Sequence, residues 1–524
     1  MLTRYLTTLL YTGMRFALLI TIAMHGMAAL ADGQGSTNRL IIKFRTGPGE
    51  EPVQIMNAAR VEQIRTRTGM ELLPLRTITP ACWVMQLPGW LPDEEVDSLA
   101  REIETDLDVI YAVTDRIKRP LLVPNDTLYD SQWSLFEDAG GARVQDAWDQ
   151  ERGSASVLIA QVDTGIQTHH DLDPARIAPG YDFISDPDIA NDGDGRDPDP
   201  SDPGDAVAAG ECGPNSPPED SSWHGLRVAG IMVSTADNNA GVAGINHRSR
   251  LLMARALGKC GGYTSDIIDA MRWSAGLQVP GVPGNENPAN VINLSFGGRG
   301  PCSAAEQEAI NQIVSLGAVV IVAAGNNGGS ALNSTPANCD NVITVAATTR
   351  SGSRASYTNT GSVVDLSAPG GDFQDGILTI LNSGTTDPAG DIFGLIIGTS
   401  AAAAHVSGIA SLMLSVNDQL APHQIEEILQ DTSRDFTDTS CNPDLCGSGI
   451  VDARAAVQAA ADTSGETPGI IPPNDGGGGG GGGGCTTGLS ASGEPLLILL
   501  LIGSLFGLCR KNRTGSTRGI RFRG

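Results

Sequence analysis

The chain has 524 residues, with 60 acidic and 34 basic side chains and a formal net charge of −26 at pH 7. This balance argues against nucleic acid as a partner, because phosphate binding requires clustered Lys and Arg side chains. With 65 glycines, 30 prolines and an aromatic fraction of 4%, the composition indicates a loop-rich globular protein that is long enough for more than one domain.

The first 31 residues have the pattern of a secretory signal peptide. Arg4 and Arg15 precede an apolar run over 16–29, and Ala29-Leu30-Ala31 forms an A-x-A cleavage site. A retained N-terminal anchor is the alternative, although the apolar run is short for a membrane span. We therefore expect an exported protein that is secreted or held at the cell surface.

Residues 32–120 are interpreted as a small α+β domain. Apolar runs and helical periodicity predict strands over 40–44, 81–87 and 109–113 and helices over 52–69 and 93–107. A short linker with prolines separates this domain from the next segment.

Residues 126–461 alternate between apolar strands and helices. The strand candidates lie at 157–162, 251–257, 291–294, 318–324 and 342–347, and the helices at 226–235, 265–277, 303–316, 400–416 and 422–430. This order predicts an α/β fold, a doubly wound and mostly parallel sheet with helices on both faces. In such folds the functional site lies at the carboxyl ends of the strands.

Six of the nine cysteines lie within this segment. In an exported chain, an even set of cysteines indicates disulfide bonds. Spacing, chain order and loop placement suggest three pairs: Cys441 with Cys446, Cys212 with Cys260, and Cys302 with Cys339. A zinc site is the alternative, but no two cysteines have the CxxC spacing of a zinc ligand pair.

The composition changes after residue 461. A Pro/Gly-rich linker over 462–488 contains nine consecutive glycines, and an apolar segment over 489–509 and a basic tail over 510–524 follow it. The glycines predict a flexible tether. The basic residues predict that this end of the chain stays on the cytoplasmic side of a membrane.

Three residue types suited to nucleophilic catalysis stand at element boundaries. Asp163 follows a predicted strand, whereas His224 and Ser400 each begin a predicted helix. A serine at a helix N-terminus presents its hydroxyl where the helix dipole favours negative charge. A histidine can take the hydroxyl proton, and an aspartate can orient that histidine. Taken singly, each also has a structural explanation, as a turn aspartate, a helix-entry histidine or an N-cap serine.

The motifs around these residues resemble those of the subtilisin-like serine peptidases. Asp163-Thr164-Gly165, His224-Gly225 and Gly398-Thr399-Ser400 match the family's aspartate, histidine and serine motifs in the same order. Ala323-Ala324-Gly325-Asn326 matches its oxyanion-hole segment. The resemblance extends over 126–461 and implies that Asp163, His224 and Ser400 form a catalytic triad, with Asn326 donating to the oxyanion.

The same resemblance implies a substrate cleft. Its walls would be Ser295-Phe296-Gly297-Gly298, which in the family pairs with the substrate backbone, and Ala323-Ala324-Gly325. Neither wall carries a charge, so we expect an apolar or mixed preference for the substrate residue that precedes the scissile bond. Thr335-Pro336 stands where the family often has a cis proline.

Structural calcium is the expected cofactor. The segment 182–205 places acidic oxygens at short spacing, but it lacks the closing glutamate of an EF-hand, and a solvated acidic loop is the alternative. Its candidate ligands are Asp186, Asn191, Asp194, Asp197 and Asp199. The resemblance implies a second calcium site at Asp171 and Asn238.

The flanking segments also resemble parts of known precursors. Residues 32–120 are similar to the family's propeptides, which assist folding and inhibit the enzyme until removed; a permanent accessory domain is the alternative. The C-terminal tail resembles bacterial sorting signals, and a simple transmembrane helix as anchor is the alternative. The expected partners are protein or peptide substrates, the chain's own propeptide, and export and C-terminal sorting machinery.

Four positions depart from the family's motifs. Leu226 and Arg227 stand where the family usually has Thr-His, Ala401 replaces a methionine, and Ala404 replaces a proline. We expect the Arg227 charge to lower the pKa of His224. The leading interpretation is an exported serine endopeptidase made as a zymogen. The alternative is an inactive or weakly active pseudoprotease with a binding role.

Overall fold

A computed structural model describes residues 36–45, 58–79, 81–116 and 123–463. The predicted signal peptide over 1–31 lies outside the described residues. The glycine tether, the apolar segment and the basic tail follow residue 463 and also lie outside the described residues.

The first described part is a four-stranded antiparallel sheet with two helices. Its elements are β1 (Ser36–Phe44), α1 (Ala58–Thr68), β2 (Leu73–Thr79), β3 (Cys82–Pro92), α2 (Asp93–Glu104) and β4 (Val109–Thr114), with the strand order β2-β3-β1-β4. Leu40, Ile42 and Phe44 alternate along β1 and are buried. Strand β2 was not predicted from the sequence. All of its residues are exposed at the edge of the sheet, so it has no buried face that a sequence pattern could reveal.

The second part contains the remaining strands. They are β5 (Leu158–Asp163), β6 (Ile177–Asp182), β7 (Arg250–Arg255), β8 (Val291–Leu294), β9 (Gly298–Arg299), β10 (Val319–Ala323), β11 (Ser334–Thr335), β12 (Ile343–Thr348), β13 (Leu366–Pro369), β14 (Ile377–Asn382) and β15 (Asp391–Ile396). Seven of them form one parallel sheet in the order β13-β12-β10-β8-β5-β7-β6. Every residue of β5, β8, β10 and β12 is buried, which explains why these strands are mostly apolar and do not alternate in polarity.

Two strands of this sheet have no predicted counterpart, and both lie at its edges. β6 contains Pro179, and β13 ends at Pro369. Edge strands tolerate proline, since one side of the strand has no partner to receive an N–H. Their sequences therefore lack the mostly apolar runs from which the central strands were predicted.

Helices cover both faces of the parallel sheet. They are α3 (His224–Val233), α4 (Thr264–Ser274), α5 (Ala304–Ser315), α6 (Thr399–Val416), α7 (Pro422–Asp431) and α8 (Ala453–Asp462), with shorter helical turns at Trp133–Phe136, Val144–Ala147, Pro187–Ala190 and Pro443–Cys446. Ile159 and Val291 pack with α3 and α6, whereas Ala160 and Ile292 pack with α4 and α5. The predicted doubly wound α/β fold is confirmed.

Helix α6 runs through the core of this part. By length and composition it is the one described helix apolar enough to cross a membrane, but 83% of that stretch is buried inside the protein. It contacts α3, α8 and the strands β5, β8, β10, β12 and β13. We therefore assign α6 as a core helix.

Three disulfide bonds follow the pairing expected from the sequence. They join Cys212 to Cys260, Cys302 to Cys339, and Cys441 to Cys446. The Thr335-Pro336 peptide bond is cis, as expected. Among the described cysteines, Cys82 is free and buried.

The disulfide between Cys302 and Cys339 closes a loop with a sequence separation of 37, against 5 for Cys441–Cys446. Because the chain entropy that a cross-link removes from the unfolded state grows with loop length, we expect replacing the first pair by alanine to lower the free energy of unfolding by about 4 kcal/mol. Replacing the second pair should cost about 2 kcal/mol. Urea unfolding of the two double variants measures the difference, and equal losses would contradict the expectation.

Candidate active site

The carboxylate of Asp163 and the imidazole of His224 form a hydrogen-bonded pair. Asp163 is the last residue of β5 and is fully buried, whereas His224 is the first residue of α3 and its side chain is 28% exposed. His224 Nδ1 lies 2.7 Å from Asp163 Oδ1, and the Thr164 N–H donates to the same oxygen at 2.8 Å. With its Nδ1 proton directed at the carboxylate, His224 keeps Nε2 available as a base.

Glycine allows the end of β5 and the start of α3 to meet. A Cβ atom on Gly225 would lie 2.0 Å from the carbonyl oxygen of Gly165, so a larger residue would force the two segments apart. The Gly225 N–H donates to Thr164 Oγ1 at 3.0 Å, and the Thr164 hydroxyl donates to the buried Asp202 at 2.8 Å. Asp202 was not singled out from the sequence, because it stands among many acidic residues.

Burial and charge act on His224 in opposite directions. Burial lowers the pKa of His224, but the charge and the hydrogen bond of Asp163 outweigh it, so the pKa lies above its ordinary value. The Arg227 charge lowers the pKa, which is the sign expected from the sequence. Arg227 is itself half-buried, and Asp205 is the carboxylate whose charge acts on it.

Ser400 occupies the first turn of α6. Gly398, which precedes the helix, has φ of +150°, a conformation that favours glycine. The Ser400 hydroxyl donates to the Ser295 carbonyl at 2.8 Å, and the Ser295 hydroxyl donates to the Ser400 carbonyl at 3.1 Å. Within residues 123–463, no hydrogen bond joins Ser400 Oγ to His224 Nε2.

The Asp163–His224 pair and Ser400 nevertheless share one edge of the sheet. Val162 of β5 lies opposite Leu294 of β8 in the parallel register, so Asp163 and Ser295 extend from adjacent strand ends. Ser295 is the residue that holds Ser400. The structure thus brings all three predicted triad residues to the carboxyl end of the sheet.

The side chain of Asn326 is fixed by its oxygen. Asn326 Oδ1 accepts from both the N–H and the hydroxyl of Thr399, each at 2.8 Å. This leaves the Nδ2 group directed toward the start of α6, where a Cβ atom on Gly398 would lie 3.3 Å from it. An amide donor therefore stands beside the residue that precedes Thr399 and Ser400.

The two predicted cleft walls follow neighbouring strands. Ser295, Phe296 and Gly297 connect β8 to β9, which begins at Gly298. Ala323 is the last residue of β10, and Ala324 and Gly325 follow it. Gly325 has φ of +103°, and a Cβ atom there would lie 2.4 Å from Asn359 Nδ2. Since β8 and β10 are adjacent in the sheet, the two walls lie side by side.

Asp171 and Asn238, the pair implied as a calcium site, are in contact. The Asn238 amide donates to Asp171 Oδ1 at 2.7 Å, and the Val242 N–H donates to Asp171 Oδ2 at 2.9 Å. Asp126 lies close enough for its charge to act together with that of Asp171, and its buried Oδ1 has no partner among the described residues. Burial raises the pKa of both carboxyl groups. An unpartnered buried carboxylate oxygen beside a second buried carboxylate fits a cation.

The carboxylates of the acidic segment over 182–205 make local contacts. They cap local turns or bind arginine, as when Arg255 donates to both Asp182 and Asp192. Among the five candidate ligands, Asp186 caps a helical turn and the Asn191 amide donates to a backbone carbonyl. Asp197 and Asp199 each accept a local backbone N–H, and Asp194 is exposed. No three carboxylates of this segment converge within the described residues.

One group with possible metal-ligand atoms was not predicted, namely His169, His170 and Asp391. His169 Nδ1 accepts the Asp171 N–H at 3.1 Å, so Nε2 carries the ring proton and donates to the Ile392 carbonyl at 3.2 Å. A neutral imidazole in this arrangement has no lone pair left for a metal. The group is a hydrogen-bonded anchor of β15.

Gln161 is a further residue of the site that was not predicted from the sequence. Its amide donates to Asp163 Oδ2 at 3.0 Å, although it stands inside a strand that is otherwise apolar up to Asp163. The signal that singles it out is a polar residue in a strand buried on both faces.

Comparisons with known proteins extend this description. Residues 154–454 match the model of the subtilase family. The chain is 42% identical over 429 residues to an extracellular protease of Xanthomonas campestris, which covers 80% of this chain and 73% of that protein. It is 38% identical over 431 residues to an extracellular basic protease of Dichelobacter nodosus, with coverage of 80% and 70%.

A solved structure of proteases from Pseudoalteromonas arctica PAMC 21717 is 48% identical, with a TM-score of 0.63, and the match covers 65% of this chain and 100% of that one. The family match spans more than half of the chain and includes Asp163, His224 and Ser400. The chain therefore belongs to the subtilase family and is a subtilisin-like serine protease.

Proposed function

We propose that this protein is an exported serine endopeptidase that hydrolyses peptide bonds through an acyl-enzyme. The observation that carries the proposal is the 2.7 Å contact between Asp163 and His224, at the same sheet edge as Ser400. The names of the relatives from Xanthomonas campestris and Dichelobacter nodosus, both extracellular proteases, support export.

The mechanism begins when the Ser400 hydroxyl leaves the Ser295 carbonyl and turns to His224 Nε2. As Ser400 Oγ bonds to the substrate carbonyl carbon, His224 takes its proton and the carbonyl oxygen becomes an oxyanion. Collapse of this intermediate breaks the peptide bond, and His224 returns the proton to the leaving amine. Water then attacks the acyl-enzyme by the same steps and releases Ser400.

Two groups oppose the charge of the oxyanion. The Ser400 N–H lies in the first turn of α6, where backbone donors have no partner within the helix. The Asn326 amide is held by the Thr399 bonds to its oxygen, so its Nδ2 donor needs no reorganisation during the reaction. Asp163 keeps the proton of His224 on Nδ1 and stabilises the imidazolium.

The substrate would lie between Ser295–Gly298 and Ala323–Gly325. These walls carry no charged side chain, which supports a preference for an apolar or mixed residue before the scissile bond. Glycine in both walls permits close approach of the substrate backbone.

We also propose that residues 32–120 are a propeptide that is removed between residues 114 and 125. Its described part has its own buried core, including Leu40, Ile42 and Met85. Exposed Leu73, Ile78 and Ile110 give it an apolar surface suited to a protein partner. The signal peptide and the C-terminal sorting or anchoring role of 489–524 remain predictions from the sequence.

Labelling with a fluorophosphonate tests the endopeptidase against a pseudoprotease. We expect the processed wild-type protein to react at Ser400, because His224 activates that hydroxyl, and the Ser400→Ala variant to remain unlabelled. Ser295→Ala is the control, because it removes a neighbouring hydroxyl and keeps Ser400. This variant should still be labelled. Folded, processed wild type without label would favour the pseudoprotease.

Removing the charge of Arg227 should move the pH dependence of kcat/KM. The enzyme needs neutral His224, so activity rises as pH passes upward through the His224 pKa. Since Arg227 lowers that pKa, Arg227→Gln should raise it and shift the acid limb to higher pH. Arg227→Lys keeps the charge and should leave the limb in place. A shift to lower pH in Arg227→Gln would contradict this account.

Asp171, Asn238 and Asp126 are proposed to hold a structural calcium ion, which would supply positive charge between buried carboxylates. We expect EDTA to lower the melting temperature, since an ion at about 100 times its Kd stabilises the fold by about 3 kcal/mol. Asp171→Asn should abolish the effect of EDTA, whereas Asp194→Asn, in the acidic segment, should retain it. The reverse pattern would indicate that the calcium ion binds in the acidic segment instead.

A further inference from the structure

Gln161 lies in the middle of the parallel sheet, two residues before the end of β5. Its side chain is fully buried, and β5 pairs with β7 on one side and β8 on the other. A buried amide loses its hydration and therefore needs partners inside the protein. The contacts of Gln161 explain what this amide does there.

The amide nitrogen of Gln161 bridges the two catalytic motifs. Gln161 Nε2 lies 3.0 Å from Asp163 Oδ2 and 2.9 Å from the carbonyl oxygen of Gly225. Both neighbours are acceptors, so only the NH2 end of the amide can face them, and each takes one of its two protons. A flipped amide would place an oxygen against two oxygens.

The donors to Asp163 are divided between its two oxygens. Oδ1 receives His224 Nδ1 and the Thr164 N–H. Within the described residues, the donor to Oδ2 is Gln161 alone. Oδ2, the carboxylate oxygen that does not bind His224, therefore receives its hydrogen bond from a single side chain.

The other end of the amide is not satisfied in the same way. Gln161 Oε1 is buried and has no donor among the described residues. The amide is thus not held by a balanced set of bonds at both ends. Its contacts are concentrated on Asp163 and on Gly225, the residue that follows His224.

We propose that Gln161 is a positioning residue of the triad. Its NH2 group fixes the plane of the Asp163 carboxylate, so that Oδ1 stays aligned with His224 Nδ1, and it neutralises part of the charge on Oδ2. The bond to Gly225 ties the same amide to the first turn of α3. This inference rests on the proposed role of Asp163 and His224 in catalysis.

Gln161→Met tests the proposal, because methionine is similar in size and has no N–H donor. Without the donor, the Asp163 carboxylate carries more uncompensated charge and holds the imidazolium more strongly. We expect kcat to fall about tenfold with KM nearly unchanged, because the plane of the Asp163 carboxylate is no longer fixed relative to His224. The acid limb of the kcat/KM profile should move to higher pH, because a more strongly held imidazolium has a higher pKa.

Gln132→Met is the matched control. Gln132 is also buried, and its amide donates to and accepts from the backbone of Ala243. This variant loses the same functional group away from the triad, so it should lower the melting temperature and leave both kcat and the acid limb unchanged. An unmoved acid limb in Gln161→Met, with or without a loss of activity, would overturn the proposal.

Gln161→Glu provides a second measurement, including the case in which the methionine variant does not fold. The new carboxyl group has the shape of the amide and donates to Asp163 Oδ2 only when protonated. The activity of Gln161→Glu relative to wild type should therefore fall as pH rises. A ratio of the two activities that stays constant with pH would contradict the proposal. Fluorophosphonate labelling of wild type at Ser400 is measured in parallel, so that failure of the triad itself is seen separately.

Discussion

The close approach of two backbones at Gly165 and Gly225 is the constraint on which the site depends. A single Cβ atom on Gly225 would come within 2.0 Å of the Gly165 oxygen. At this separation the Asp163 side chain at the end of β5 reaches the His224 side chain at the start of α3 with a hydrogen bond of 2.7 Å. The position of His224 is therefore set by the absence of a side chain at the residue that follows it.

Neighbouring strands support residues of the candidate site in a common way. Gln161 in β5 donates its amide to Asp163, two residues onward, and Asn293 in β8 donates its amide to Ser295 Oγ at 2.9 Å, also two residues onward. In a strand, residues two apart point to the same face, so an amide can brace the residue at the strand's end. These polar groups replace apolar packing in a buried sheet, and what they support is the site itself.

The sequence was sufficient to predict the central strands, and to predict that Asp163, His224 and Ser400 meet at one edge of the sheet, because both leave local signals. Strand β8 is predicted at its observed bounds, since its four buried residues form a run that is apolar except for Asn293. The edge strands β6 and β13 carry prolines and lack such a run. The acidic segment leaves a weaker signal: composition reveals many carboxylates, but not which of them also bind Arg255 or local backbone N–H groups. Long-range partners of this kind, like those of Gln161, are set by the fold.

The small residues of α6 follow from its place in the core. Ala401 to Ala404 are completely buried, and the helix contacts five strands and two other helices. A Cβ atom on Gly408 would lie 2.8 Å from the side chain of Ile245, so the helix is packed closely along its length as well. Side chains this small let the helix backbone lie directly against the sheet, which brings its N-terminus to the ends of β8 and β10. Because Ser295 and Asn326 follow those strands, Ser400 is held by backbone packing, and the departures at Ala401 and Ala404 leave that support intact.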